Sequence, residues 1–357
     1  MSRILLLLPF LVVLTTSAAQ EPPQNWKGLL WEISGNGLRK PGYLYGTMHV
    51  PEKLAFNLSD SFFTALRQVD MVALETDHDQ WQAFTEILDE KETGRWRSPG
   101  NTELSSPGDL YGELFDLPLP DNKLLGALLS AKPRLTNEFL YRSSQSRQGY
   151  EEDTYLDLFI FQAGRKLGKT VIGLETLEDS YEALVRAQLP DAPDASGERP
   201  YRPSNTRATL EDAYRDQDLS LIDSLNKLMS PGKNFQRWMQ EERNIVMVQR
   251  NDSILQSGTA LISAVGAAHL PGSVGLIQQL RTKGYTLRPI QFSTLRSKQE
   301  KEKIEALRYP VPFSTQWAPD SSWSVEAPGK FFRTMEVPGL DQYLCADMSN
   351  GAYYANG

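Results

Sequence analysis

Tyr45-Gly46-Thr47-Met48-His49 is the stretch on which the reading of this chain turns. An apolar strand pattern, Gly42-Tyr43-Leu44-Tyr45, runs into a glycine, and a histidine follows three residues later. The pattern returns far downstream, where Leu261-Ile262-Ser263-Ala264-Val265 leads into Gly266-Ala267-Ala268-His269. His49 and His269 are two of only 3 histidines in the protein. A strand ending in Gly-x-x-His places its imidazole beyond the strand's carboxyl end, where open α/β sheets bind their ligands. The expectation is that His49 and His269 share one site. Gly46 and Gly266 are read as supporting turn residues, their backbone freedom letting each imidazole face inward.

Working outward, Leu29, Trp31 and Ile33 alternate with Leu30, Glu32 and Ser34, and Gly35-Asn36-Gly37 supplies turn chemistry. Together with residues 42–45 this reads as a hairpin whose outgoing strand delivers His49. Ser59 or Asp60 caps a helix with Phe62, Phe63, Leu66 and Val69 on its apolar side. Met71-Val72-Ala73-Leu74 is a compact strand ending in Glu75, and Thr170 to Leu174 is another ending in Glu175. Leu-Glu-Thr therefore occurs at 74–76 and 174–176, each after an apolar strand. The two doubled motifs suggest pseudo-repeated halves.

Helices are expected over Trp81–Leu88, Leu124–Ala131, Asp153–Leu167, Thr206–Leu228, Phe235–Gln256 and Ser273–Lys283, with a closing strand from Tyr285 to Gln291. Leu189 to Asn205 carries prolines and aspartates without an apolar period and reads as an exposed loop. Strands interleaved with helices predict an α/β fold: a sheet with helices on both faces. Residues 20–294 would form that domain, 295–309 a charged helical connector, and 310–357 a small β-rich C-terminal extension, incomplete or loosely attached.

The first nineteen residues have the pattern of a signal peptide. Arg3 is the positive start, Ile4 to Val13 the apolar run, and Ser17-Ala18-Ala19 the small residues before a cut. The run is short for a bilayer span, so the mature chain is expected to be secreted or periplasmic with no membrane span. At 357 residues, 40% hydrophobic and 23% charged, the composition is that of a globular protein. A net charge of −8 with no lysine/arginine stripe argues against nucleic acid as a partner. Cys345 is the sole cysteine, which excludes an intramolecular disulfide and a thiolate metal centre.

A hydrolytic metal site needs two or three imidazole or carboxylate ligands and room for water. His49, His269 and Glu75 have the right types and all lie at strand ends, so they are the expected ligands for a divalent metal ion. Glu175 is a further ligand, and either Glu175 or Glu75 is the general base. Arg243 is the expected electrophile for a carbonyl or oxyanion, and Asn244 adds a hydrogen bond or orients a ligand from behind. His78, in Glu75-x-x-His78, follows a strand rather than sitting in a helix and is read as uninvolved.

In these motifs the chain resembles the TraB/GumN family, which also includes the Tiki proteases and the pheromone-shutdown proteins. The matching text is Tyr45 to His49, Leu74-Glu75-Thr76, Gly173-Leu174-Glu175-Thr176, Glu242-Arg243-Asn244 and Val265 to Gly272, in the family's order over about residues 26–292. The resemblance implies an α/β fold with a pseudo-repeat and metal-dependent hydrolysis. For the Tiki branch it implies proteolysis with manganese or cobalt, zinc being the remaining candidate. By matching motif it implies His49, Glu75 and His269 as active residues, with Arg243 and Asn244 alongside. Three readings stay open on the sequence: a peptidase acting on a peptide or protein substrate, a hydrolase of a small ester, and a non-catalytic protein that sequesters a peptide or signal molecule.

Overall fold

Three consecutive residues at the Gly35-Asn36-Gly37 corner take positive φ (79°, 46° and 80°), the left-handed region that glycine and asparagine tolerate best. They fold strand β1 (Leu30–Gly35) back against β2 (Gly42–Thr47) in antiparallel register, Leu30 opposite Tyr45 and Ile33 opposite Gly42. The expected hairpin is thus the entry to the sheet. The structure is a computed structural model that describes residues 26–48, 58–77, 156–176, parts of 179–187, 206–230, 232–318 and 321–356 apart from 330, 338 and 339. His49, His78, residues 1–19, the expected helices at 81–88 and 124–131, and the loop at 189–205 lie outside the described residues.

Six strands form one sheet in the order β4-β3-β5-β2-β1-β6, where β3 is Met71–Thr76, β4 Thr170–Glu175, β5 Leu261–Gly266 and β6 Tyr285–Pro289. β2, β5, β3 and β4 are parallel neighbours, and β1 alone runs against both strands beside it. The doubled motifs become pairs of neighbours in this sheet. β3 and β4 lie side by side with Thr76 opposite Glu175, and β2 lies on β5 with Thr47 opposite Gly266. All four motif strands therefore end at one edge of the sheet.

One face is covered by α1 (Asp60–Gln68) and α2 (Leu156–Lys166). Ser59 caps α1 by accepting from the Phe62 N–H at 3.0 Å. The Phe62 ring packs 4.7 Å from that of Tyr45, and burial of a side chain of this size contributes about 1.5–3 kcal/mol. α2 lies close on the sheet because it carries Gly164, where a Cβ would stand 2.8 Å from Val171 Cγ2. Gly168, at φ 70°, ends the helix.

Residues 206–228 differ from the single helix expected. α3 (Thr206–Arg215) stops, Gln217 turns with φ 56°, and α4 (Leu219–Met229) begins afresh. Asp218 is the reason: its carboxylate accepts from Leu221 N–H at 3.0 Å as a helix N-cap. The opened backbone is used at once, since Gln217 C=O accepts from Gly28 N–H at 3.0 Å and ties the break to the chain entering β1.

The opposite face carries a helix that starts as α5 (Lys233–Gln236), passes through a π-helical turn over Arg237–Glu242, and continues as α6 (Arg243–Gln256). It is followed after β5 by a 3₁₀ turn (Ala267–His269) and α7 (Leu276–Thr282). A charged helix, α8 (Ser297–Glu305), buries Ile304 and pairs Glu300 with Arg67 of α1. Beyond it stand a two-stranded hairpin, β7 (Ser314–Trp317) with β8 (Ser324–Ala327), and a three-stranded antiparallel sheet of β9 (Phe332–Val337), β10 (Leu340–Asp347) and β11 (Ala352–Asn356). This extension is fastened rather than loose: Gln162 of α2 donates to Met348 C=O at 3.0 Å, and Asn350 makes two hydrogen bonds with the Tyr309 backbone. Among the described residues no helix is long and apolar enough to cross a membrane.

Candidate active site

Glu75 is the penultimate residue of β3 and Glu175 the last of β4, so parallel pairing brings two carboxylates to the same sheet edge. Two negative charges at one edge, Glu175 buried and Glu75 partly so, need a cation between them. Arg243, at the start of α6, provides it. Its Nε donates to both Glu175 oxygens at 3.0 and 2.9 Å, and its Nη2 donates to Glu175 Oε2 at 2.5 Å and to Glu75 Oε2 at 2.7 Å. Arg243 is 6% exposed and Glu175 2%, so this pair is shielded from water and salt, while the Glu75 side chain, 15% exposed, is only partly so. Burial alone would pull the guanidinium pKa down; Glu175 and then Glu75 reverse that and hold it above its ordinary value. The group is a permanent charge.

The Nε–Nη2 edge of Arg243 is turned on the two glutamates. Only Nη1, which has no hydrogen-bond partner among the described residues, is left for another acceptor. Both oxygens of Glu175 serve the arginine, which suits this residue to anchor Arg243 better than to take a proton from water.

Glu75 also has a second attachment. Its Oε1 accepts from Gly266 N–H at 2.6 Å, so β3 and β5 are joined at their ends by a side chain. Gly266 has φ −49°, and Gly46 is not among the residues with positive φ. Neither glycine takes left-handed backbone. Gly46 is needed for space: a Cβ there would stand 3.0 Å from Leu270 Cδ1 and 3.1 Å from Ala267 Cα and Cβ. The first Gly-x-x-His motif therefore packs directly on the turn of the second.

That turn carries His269, 6% exposed. Its Nδ1 lies 2.6 Å from Asn244 Oδ1, and Asn244 Nδ2 donates to Val274 C=O at 2.8 Å. The donation to Val274 fixes which end of the Asn244 amide is oxygen, so Nδ1 of His269 carries a proton, and in the neutral imidazole the lone pair is on Nε2. Nε2 points toward Glu75 Oε1 at 3.7 Å. Two electron-pair donors facing each other at that separation can be bridged by one cation at ligand distances of about 2.0–2.2 Å. An imidazole with its far N–H held by a carbonyl oxygen is the usual setting of a histidine ligand. The donor set thus fits a divalent metal ion. Among the described residues no three His, Cys, Asp or Glu side chains form such a group; the third expected ligand, His49, lies outside them.

Several contributing residues escaped the sequence reading. Asn251 of α6 accepts from Ser263 Oγ at 2.5 Å, holding α6 to β5. Gln240, in the π-helical turn, donates to Ala268 C=O and accepts from Asn226 Nδ2 at 3.1 Å. Gln240, Asn244 and Asn251 are spaced to share one helix face, and that row of amides was the available signal. On the other face Thr47 Oγ1 donates to buried Asp157 at 3.0 Å, and Tyr214 OH donates to Gly46 C=O at 3.1 Å. These contacts fix the end of β2, and nothing local in the sequence pairs residues 47 and 157.

A family model described as the TraB/PrgY/gumN family matches residues 29–289. That span contains the whole six-stranded sheet, from Leu30 to Pro289, and every residue of the site. A comparison with individually curated proteins finds no match. With the motifs in family order and the match covering most of its length, the chain belongs to the TraB/PrgY/gumN family.

Proposed function

We propose that this protein is an exported metal-dependent hydrolase that cleaves peptides in the manner of the Tiki proteases. The observation that carries the reading is the His269–Glu75 pair: an imidazole Nε2 and a carboxylate oxygen 3.7 Å apart, with the Nδ1 proton of the histidine held by Asn244. His49, His269 and Glu75 would hold a divalent cation, manganese, cobalt or zinc. Bound there, the cation supplies Lewis acidity that activates water near neutral pH. Asn244 keeps the His269 lone pair on target. Arg243, anchored by Glu175, offers Nη1 to the oxygen of the scissile carbonyl and to the negative charge that grows on it during attack. Export rests on Arg3, the apolar run Ile4 to Val13 and Ser17-Ala18-Ala19.

The test is turnover of a mixed peptide library by the full mature chain, with manganese, cobalt or zinc added back after chelation. Metal-dependent cleavage, reduced at least about a hundredfold in Glu75→Gln, is the expected outcome. Peptide capture without cleavage under all three metals would replace the hydrolase with a sequestering protein, and cleavage of simple esters alone would replace the substrate class.

A further inference from the structure

The π-helical turn Arg237–Glu242 immediately precedes Arg243 and Asn244. Such turns insert a residue into a helix and re-aim the side chains around them. Here Gln240, on the face that one turn later carries Asn244, reaches across to the 3₁₀ turn and donates its Nε2 hydrogen to Ala268 C=O, the residue before His269. Its Oε1 is occupied from behind, accepting from Asn226 Nδ2 of α4 at 3.1 Å. Both ends of the Gln240 amide are thus used, and their order is set by chemistry: only the NH₂ end can donate to a carbonyl.

We infer that Gln240 is a positioning residue for His269, clamping the histidine-bearing turn between α4 and the π-helical turn. Asn244 controls which nitrogen of the imidazole is protonated; Gln240 controls where the backbone beneath it sits. Asn244 holds the same turn through the His269 ring, and Gly46 packs against its Ala267 and Leu270, while Gln240 is the side chain that holds its backbone at Ala268. The turn is three residues long and its following residue closes it through a single bond, Leu270 N–H to Ala267 C=O at 3.2 Å. The role of Gln240 for metal binding rests on the function proposed above, whereas the clamping itself does not.

Two readouts on the full chain separate them. Gln240→Glu keeps size and shape but puts an acceptor against the Ala268 carbonyl, and Asn226→Ala removes the support behind Gln240. Hydrogen exchange should rise about tenfold or more at residues 267–270 in Gln240→Glu, and less in Asn226→Ala, with protection of β2, β3 and β5 unchanged. The dissociation constant for manganese should weaken about 10- to 100-fold in Gln240→Glu, the range expected when the support of a metal ligand is lost. Unchanged exchange at 267–270, or an equal rise throughout the sheet, would overturn the clamp. If the wild-type chain takes up no manganese, cobalt or zinc, the metal reading fails while the exchange result still decides the role of Gln240.

Discussion

His269 donates its Nδ1 proton to Asn244 Oδ1 across 2.6 Å, and Asn244 can accept it only because its own NH₂ is turned to the Val274 carbonyl. One residue of α6 therefore decides which nitrogen of the imidazole faces Glu75. Replacing Asn244 with Ala should free the imidazole to change tautomer and weaken divalent-metal binding about 10- to 100-fold. Nitrogen NMR shifts of His269 check the first effect and a competition titration the second. An unaltered tautomer in Asn244→Ala would show that something else orients the ring.

Arg243 is a matter of stability before chemistry. Removing it leaves Glu75 and Glu175 facing each other at a buried edge without a cation, a loss of about 3–5 kcal/mol. Arg243→Met should show this in urea denaturation, and Arg243→Lys should recover little because an ammonium cannot reproduce the side-on, two-nitrogen contact. Adding Glu175→Gln to Arg243→Met should restore part of the stability. A single-variant loss below about 1 kcal/mol, the range of exposed ion pairs, would mean the triad is far more solvated than its burial indicates.

Gly46→Ala tests the contact between the two motifs. The new methyl meets Leu270 and Ala267 at 3.0–3.1 Å, and that turn, held by Gln240 on its far side, has little room to retreat. A loss of about 1–3 kcal/mol is expected from overpacking, together with weaker metal binding through displaced His269. A folded Gly46→Ala protein with wild-type stability and affinity would show the turn to be compliant.

The sequence carried the sheet and most of the site for a definite reason. Each of Glu75, Glu175 and His269 follows an apolar strand pattern, and parallel strands bring their carboxyl ends to one edge whatever their sequence separation. Arg243 and Asn244 were legible as polar residues on an otherwise amphipathic helix, although not their partners: Arg243 faces the glutamates first. The glycines were visible and their reason was not, because close approach is a property of two segments and left-handed backbone of one. Asp218 could have been read as a helix start, but continuous helical periodicity on both sides masks a cap. Gln240, Thr47 and Asp157 depend on contacts between distant elements and leave only the faint amide spacing of α6 in the sequence.

Cys345 gives a pH dependence with a defined sign. Burial pushes its thiol up to about 11, helped by Asp347 and opposed by a hydrogen bond from the Gly329 backbone. In the unfolded chain the thiol titrates near about 8.5, so between those values the unfolded state holds fewer protons and stability falls as pH rises. At pH 8 the thiolate fraction of the folded protein is lower by about two orders of magnitude. Iodoacetamide should therefore label Cys345 slowly in the native chain and quickly in urea, and fast native labelling would contradict the burial.

On the proposed function, His269 and Glu75, with His49, hold one divalent cation. The direct measurement is the number of cations retained per chain after equilibrium dialysis against manganese, cobalt or zinc, for wild type, His49→Ala, His269→Ala and Glu75→Gln, each checked for folding by circular dichroism. One cation is expected in the wild type, with affinity lower by about a hundredfold or more in every variant. A folded wild type that retains none, or variants that retain it undiminished, would contradict it.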